Sequence, residues 1–181
     1  MEKTLRGLLI IATLVALGYA GYRFDKWKVN QYIDIPEQEC IIVKTDPVAI
    51  STFIENIGEQ EITFDNVMTL MDTLLIEHPH IVYAQMRLES GNFKSNIAKT
   101  NNNFFGMRHP RVRITMSRGS LNGFASYDSW SYSVLDYAIW QRMYASGLTE
   151  EEYLEMLSEK YAEDKYYVKK VKSIADSIKR K

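Results

Sequence analysis

The apolar and polar positions divide the chain into stretches of different character. An uncharged apolar run extends from Gly7 to Tyr22. Residues 25 to 45 follow with little pattern, their Asp34, Pro36, Glu37 and Glu39 lying ahead of a short apolar run from Ile41 to Val43. From Asp46 onward a helical period takes over. Asp46 is placed to cap a first helix, Pro47 suits its first position and Gly58 ends it, with Ile50, Phe53, Ile54 and Ile57 on one stripe. A second helix is predicted after Thr63. Its stripe is Val67, Leu70, Met71, Leu74 and Leu75, and His78-Pro79 is expected to break it. A third helix is predicted from about His80 to Leu88.

After Gly91 the long helical period is lost until about Ser126. Arg111 to Met116 alternates polar and apolar, the period of a strand. Arg118, Gly119, Asn122 and Gly123 supply turn chemistry, and Phe124 to Tyr127 are expected to return as a second strand. Helices resume near Trp130, with Val134, Leu135, Ala138, Ile139 and Met143 sharing a face. Thr149 and Glu152 form a capping box for the next helix. Asp164 is placed to cap the last, whose stripe is Val168, Val171, Ile174, Ala175 and Ile178. The order predicts an α+β domain, mainly helical, with a small β-hairpin lobe set between helical parts. Three regions follow: residues 1–24 as signal anchor or signal peptide, 25–45 as connector, and 46–181 as the folded domain.

The N-terminal run has two readings. It is short for a membrane span, which takes about 20 residues, and long for a signal-peptide core of about 7 to 15. Gly18 and Ala20 have the spacing of a cleavage site. Lys3 and Arg6 precede the run, and Arg23, Lys26 and Lys28 follow it, so flanking charge leaves the orientation open.

Composition narrows the chemistry. The 22 basic and 23 acidic residues balance, which gives no argument for nucleic acid as a partner. A lone Cys40 excludes an internal disulfide framework and a multi-cysteine metal site. His78 and His80 lack a third ligand in motif and read as helix-start residues rather than a zinc pair. Neither a phosphate-binding glycine loop nor a Ser-His-Asp pattern is evident. No metal or cofactor is expected.

The candidate for chemistry is Glu89, although a Glu at a helix end, taken alone, is usually just solvated. It follows Gln85 and Met86 by one turn and Ile81 and Val82 by two, beside an apolar face at a helix C-terminus. Partial burial and the negative end of the helix dipole both favour its protonated form. A carboxyl that gives a proton to a glycosidic oxygen needs that shift.

The run Ala84-Gln-Met-Arg-Leu-Glu-Ser-Gly91, then Ser95, then Asn102-Asn-Phe-Phe-Gly-Met107, resembles the signature of bacterial and phage glucosaminidase domains, glycoside hydrolase family 73 of the lysozyme superfamily. The resemblance continues through Gly123-Phe-Ala-Ser-Tyr-Asp-Ser-Trp130, Ser133-Val-Leu-Asp-Tyr-Ala138, Trp140-Gln141, Tyr161-Ala-Glu-Asp164 and Tyr167-Val168, in order, from about Thr63 to Ser177. It implies a lysozyme-like core with a substrate groove and Glu89 as catalytic acid. It further implies that Tyr127 lines the catalytic centre and that Asn103, Phe104 and Phe105 shape the groove floor.

One departure bears on mechanism. Many glycosidases hold a second carboxylate across the bond, and in this family it is proposed to lie in the β-lobe. Residues 90 to 127 contain no Asp or Glu; Lys94, Lys99, Arg108, Arg111, Arg113 and Arg118 stand there instead. The next acid, Asp128, either approaches the groove as a substrate-binding residue or caps the following helix. The substrate's own 2-acetamido group is an alternative nucleophile, oriented by Tyr127 and Asn103. The basic lobe is either a solvated surface or attracts the carboxylates of peptidoglycan stem peptides. The expectation is therefore a peptidoglycan hydrolase cleaving at N-acetylglucosamine β-1,4 linkages. Its partners would be glycan strands and, through residues 7–22, the cytoplasmic membrane, with the domain on the wall side. A lytic transglycosylase and an inactive membrane-anchored wall-binding protein are the alternatives. Origin, protein partners and oligomeric state are not legible in the sequence.

Overall fold

The computed structural model describes residues 47–160 and 164–179. The expected cap Asp46, the apolar run from Gly7 to Tyr22 and the connector lie outside the described residues. The chain divides into two units, Met1–Phe53 and Ile54–Lys181, and the packing described below lies within the second. The elements are α1 (Pro47–Gly58), α2 (Phe64–Thr73), α3 (Pro79–Glu89), α4 (Asn96–Asn101), β1 (Gly119–Leu121), β2 (Phe124–Ser126), α5 (Trp130–Tyr144), α6 (Glu150–Lys160) and α7 (Tyr167–Lys179). Helix dominates, and the strands form one antiparallel hairpin, the α+β arrangement expected from the pattern. Among the described residues no helix is long and apolar enough to cross a membrane.

Helix α2 begins where expected. The Thr63 side chain takes the Asn66 N–H at 3.2 Å, and Val67, Leu70 and Met71 are buried. It ends before His78-Pro79, at Thr73. Leu75 has a φ of 53°, its N–H bonds to the Asp72 carbonyl at 3.0 Å and the Ile76 N–H to the Met71 carbonyl at 2.9 Å. This is a Schellman closure with leucine where glycine is usual, seated by burial of Ile76 in the core. The proline break belongs to the start of α3 instead. There His78 occupies the N-cap in a left-handed conformation and Pro79 the first turn.

Helix α5 departs from the expected single stripe. Ten of its residues, Trp130 to Gln141 apart from Tyr132 and Trp140, are buried, and Met143 is exposed. A helix covered on most sides must pair its polar groups. The Ser131 hydroxyl donates to the Ile54 carbonyl at 2.8 Å, and the Ser133 hydroxyl accepts the Phe104 N–H at 3.1 Å. Gln141 exchanges two bonds of 2.9 Å with the Glu77 backbone. Thr149 and Glu152 close the predicted capping box at the start of α6. Ahead of α7, the Asp164 carboxylate takes the Tyr166 N–H at 2.9 Å.

The lobe between α4 and α5 is where the pattern misleads. Residues 111 to 116 are not a strand, and the first strand is Gly119–Leu121. The alternation there is inverted. Val112 is 98% exposed, while the Arg113 side chain is 5% exposed. Backbone groups that a ladder would use are taken by side chains: the Met116 N–H goes to Asp136 and the Ile114 carbonyl to Arg113. The hairpin itself is as expected from Asn122-Gly123. Both have positive φ, and Leu121 pairs with Phe124 across this two-residue turn.

Candidate active site

Glu89 is the last residue of α3, a helix anchored by Ile81, Val82, Ala84 and Met86 in the core. The carboxyl is half-buried. Burial holds its pKa above the usual carboxylate range, and a hydrogen bond from Tyr167 opposes that rise without cancelling it. The chain leaves the helix sharply, with Gly91, Asn92 and Phe93 all at positive φ. Ser90 makes this possible. Its hydroxyl donates to the Met86 carbonyl at 2.5 Å and accepts the Phe93 N–H at 2.9 Å, while its carbonyl takes the Ser95 N–H at 2.9 Å. Ser95 then caps α4.

Three consecutive asparagines fasten the hairpin to the C-terminal end of α4. Asn101 donates to the Leu121 carbonyl at 2.8 Å, and its own carbonyl takes the Tyr127 N–H at 2.8 Å. Asn102 donates to the carbonyls of Tyr127 and Asp128 at 3.1 and 2.9 Å. Asn103 donates to those of Met107 and Ala125 at 2.8 and 2.9 Å and accepts the Met107 N–H at 3.1 Å. The turn that Asn103 closes carries Gly106, at a φ of 63°. A Cβ there would lie 3.7 Å from Glu89 Oε2, so this backbone passes directly by the carboxyl.

Behind Glu89 runs a buried chain of hydroxyls. Gln85, one turn earlier, accepts at Oε1 from the hydroxyls of Tyr137 at 2.9 Å and Tyr153 at 3.1 Å, which also touch each other. That orientation turns Nε2 toward the Tyr167 oxygen, 3.4 Å away. With its oxygen receiving from Gln85, Tyr167 keeps its proton for Glu89.

A second cluster is centred on Asp136, fully buried on α5. Arg113 donates to Oδ1 at 2.9 Å and Oδ2 at 2.7 Å. The Met116 N–H donates to Oδ1 at 2.9 Å, and the Tyr127 hydroxyl to Oδ2 at 2.9 Å. Each oxygen accepts two bonds, which fills the carboxylate's capacity. Burial, then the charge of Asp136, hold Tyr127 far above the ordinary phenol range. It stays a neutral hydroxyl at any working pH.

Beside Glu89 lies a cleft of about 340 Å³, lined by Phe105, Gly106, Met107, Tyr137 and Trp140 with Arg108 and Arg113. Gly106 thus borders both the cleft and the acid. Of the sequence-predicted residues, Phe105 lines this cleft, its ring stacked on Tyr137 with centroids 4.1 Å apart, and Glu89 adjoins the cleft's Gly106 wall. Asn103 and Phe104 are buried, Asn103 within its turn and Phe104 against Phe93. Tyr127 is buried with its hydroxyl on Asp136. Asp128 is half-exposed and ion-paired with Arg118. It does not cap α5, whose N-cap position is Ser129, so the capping expectation is corrected. Gln85, Tyr167, Asp136, Arg113 and Trp140 were not singled out in the sequence. Two signals were present: a carboxylate between Leu135 and Tyr137 in an apolar stripe, and a glutamine inside the buried face of α3.

The arrangement is a half-buried carboxyl beside an aromatic cleft, in a mainly helical α+β domain, which suits proton donation to a bound sugar. The glucosaminidase family described as mannosyl-glycoprotein endo-beta-N-acetylglucosaminidase matches residues 66–180. The chain belongs to this family, glycoside hydrolase family 73. No curated protein and no solved structure matches it.

Two outcomes follow from this geometry. Asp136→Asn leaves the Arg113 guanidinium buried without its counter-charge, so stability should fall by about 3–5 kcal/mol. Urea unfolding measures this, and a loss under about 1 kcal/mol, the worth of an ordinary exposed pair, would show that the cluster does not hold the lobe. Tyr167→Phe removes the bond that lowers the Glu89 pKa, so that pKa should rise further. Activity that needs protonated Glu89 is lost as pH rises through its pKa. The alkaline limb of the pH–rate profile should therefore move to higher pH; an unmoved limb would mean that Tyr167 gives its proton elsewhere.

Proposed function

We propose that the chain hydrolyses the glycan strands of bacterial peptidoglycan at N-acetylglucosamine β-1,4 linkages, with Glu89 as general acid. The observation that carries this reading is the raised pKa of a half-buried Glu89 bordering an aromatic cleft through Gly106. Protonated Glu89 gives its proton to the leaving oxygen as the C–O bond breaks. No Asp or Glu lines the cleft, and Asp136 has its accepting positions filled by protein donors. The substrate's 2-acetamido oxygen therefore acts as the internal nucleophile, and water opens the resulting ring with Glu89 as base. Tyr127 contributes as a neutral hydroxyl held in place by Asp136. Asn103 sets the turn that positions Gly106, Phe105 forms the floor, and Phe104 packs behind it against Phe93.

A lytic transglycosylase would use the same lone acid and leave an anhydro-muramyl end. Digestion of peptidoglycan with mass spectrometry of the new ends distinguishes them, since the anhydro product lacks one water. Glu89→Gln should lower the rate on the order of 100-fold or more while the protein stays folded. De-acetylated strands in the same digestion should resist cleavage. Near-wild-type turnover by folded Glu89→Gln would remove Glu89 from the mechanism, and anhydro ends would replace the hydrolase with the transglycosylase.

The substrate requires the domain to lie outside the cytoplasmic membrane. We place Lys3 and Arg6 on the cytoplasmic side, Gly7 to Tyr22 in the membrane as anchor or export signal, and the chain after Arg23 on the wall side. Alkaline phosphatase fused after Lys181 should be active, and activity of a cytoplasm-only reporter at that position would overturn this topology.

A further inference from the structure

The cleft beside Glu89 carries a charge that a neutral sugar would not use. Two cations line it. Arg113 is buried and doubly bonded to Asp136, so its charge is matched within the protein. Arg108 is exposed, and no carboxylate pairs with it among the described residues. Its guanidinium carbon lies 6.0 Å from the centre of the Phe124 ring on β2, which steadies the head group at the rim. Facing it from α5 is Trp140, partly exposed and buttressed by Tyr137 at 5.3 Å and Tyr144 at 6.1 Å between ring centres. The volume falls at the small end of the range of about 300–1,000 Å³ for small-molecule clefts, suited to one saccharide unit rather than a length of strand.

We propose that this cleft is a subsite for a glycan unit bearing an anionic peptide, with Trp140 as the platform for the sugar ring and Arg108 as the cation that takes a peptide carboxylate. The assignment rests on the glycan-hydrolase reading above and adds to it a preference between substrates. An aromatic platform alone accepts any sugar face. An unmatched guanidinium at its rim favours the unit whose substituent brings a carboxylate within reach, because a charge-assisted, bidentate pair forms only there. The subsite thereby favours peptide-substituted strands over bare ones, and the preference weakens with salt because the pair is exposed.

The test uses the full chain and two preparations of the same strands, one with stem peptides intact and one stripped of them by an amidase. The wild type should show the lower KM on peptide-bearing strands. Arg108→Gln should erase that preference, a change on the order of fivefold for an exposed pair, while Arg108→Lys keeps part of it. The same ratio is read by co-sedimentation in a Glu89→Gln background, which needs no turnover. A ratio unchanged in Arg108→Gln by either readout overturns the assignment. If the wild type binds strands but cuts neither, the hydrolase reading falls alone, and the binding ratio still decides Arg108. If it binds neither, both fall.

Discussion

One buried carboxylate gathers the chain on both sides of the β-hairpin onto the helical part. Asp136 projects from the centre of the most buried helix and receives Arg113, the Met116 N–H and the Tyr127 hydroxyl. These come from the irregular chain before the hairpin and from the residue just after it. A two-stranded hairpin of three residues per strand has little stability of its own. Burying one charge in such a place would be costly, and the pairing offsets that cost only because every acceptor position is filled. The cluster therefore acts as an all-or-nothing fastener, and losing any donor leaves a buried polar group exposed to the same penalty. Tyr127 is part of this fastener, which fixes the position of its ring and keeps its hydroxyl neutral.

The other attachments follow the same logic. Polar side chains capture backbone groups of distant segments: Ser131 bonds the Ile54 carbonyl near the end of α1, Ser133 reaches the loop at Phe104, Gln141 holds the turn before α3, and Asn101, Asn102 and Asn103 hold the hairpin and the chain after it. Irregular chain has carbonyls and N–H groups with no ladder to satisfy them, and asparagine and glutamine supply both a donor and an acceptor at one site. In the Asn-Asn-x-Phe-Gly motif Asn103 closes the turn onto Met107, and Gly106 takes a left-handed backbone at a φ of 63° that a side chain would disfavour.

Much of the helical scaffold was legible because its signals are local. Thr63, Pro79, Asn122-Gly123 and Thr149 with Glu152 act over three or four residues, and each does in the structure what its type implies. The misreadings share a cause, which is that a long-range partner outweighs the local pattern. Arg113 in an alternating run reads as the solvent side of a strand, yet it is the buried member because Asp136 waits 23 residues on. Leu75 reads as the last residue of a helical stripe, yet a Schellman closure with buried Ile76 ends the helix earlier. Glu89 was found from its apolar neighbours one and two turns back. Tyr167, 78 residues later on α7, was invisible to that argument although it modulates the acid directly.

The network behind Glu89 also bears on stability, and under the proposed mechanism on proton donation. A carboxyl whose folded pKa is raised favours the protonated native state, so its contribution to stability is present at low pH and is lost as pH rises through that pKa. Ionised Glu89 is less favourable in this fold than in water, because of its burial. The Tyr167 bond moderates that, and Gln85 directs it by occupying the Tyr167 oxygen, with Tyr137 and Tyr153 fixing Gln85 in turn. A ligand filling the adjacent cleft would remove more water from the carboxyl and push it further toward the protonated form. Binding and acid activation would then be the same event, because Gly106 borders both the occupied space and the acid. The Tyr167 bond opposes that rise.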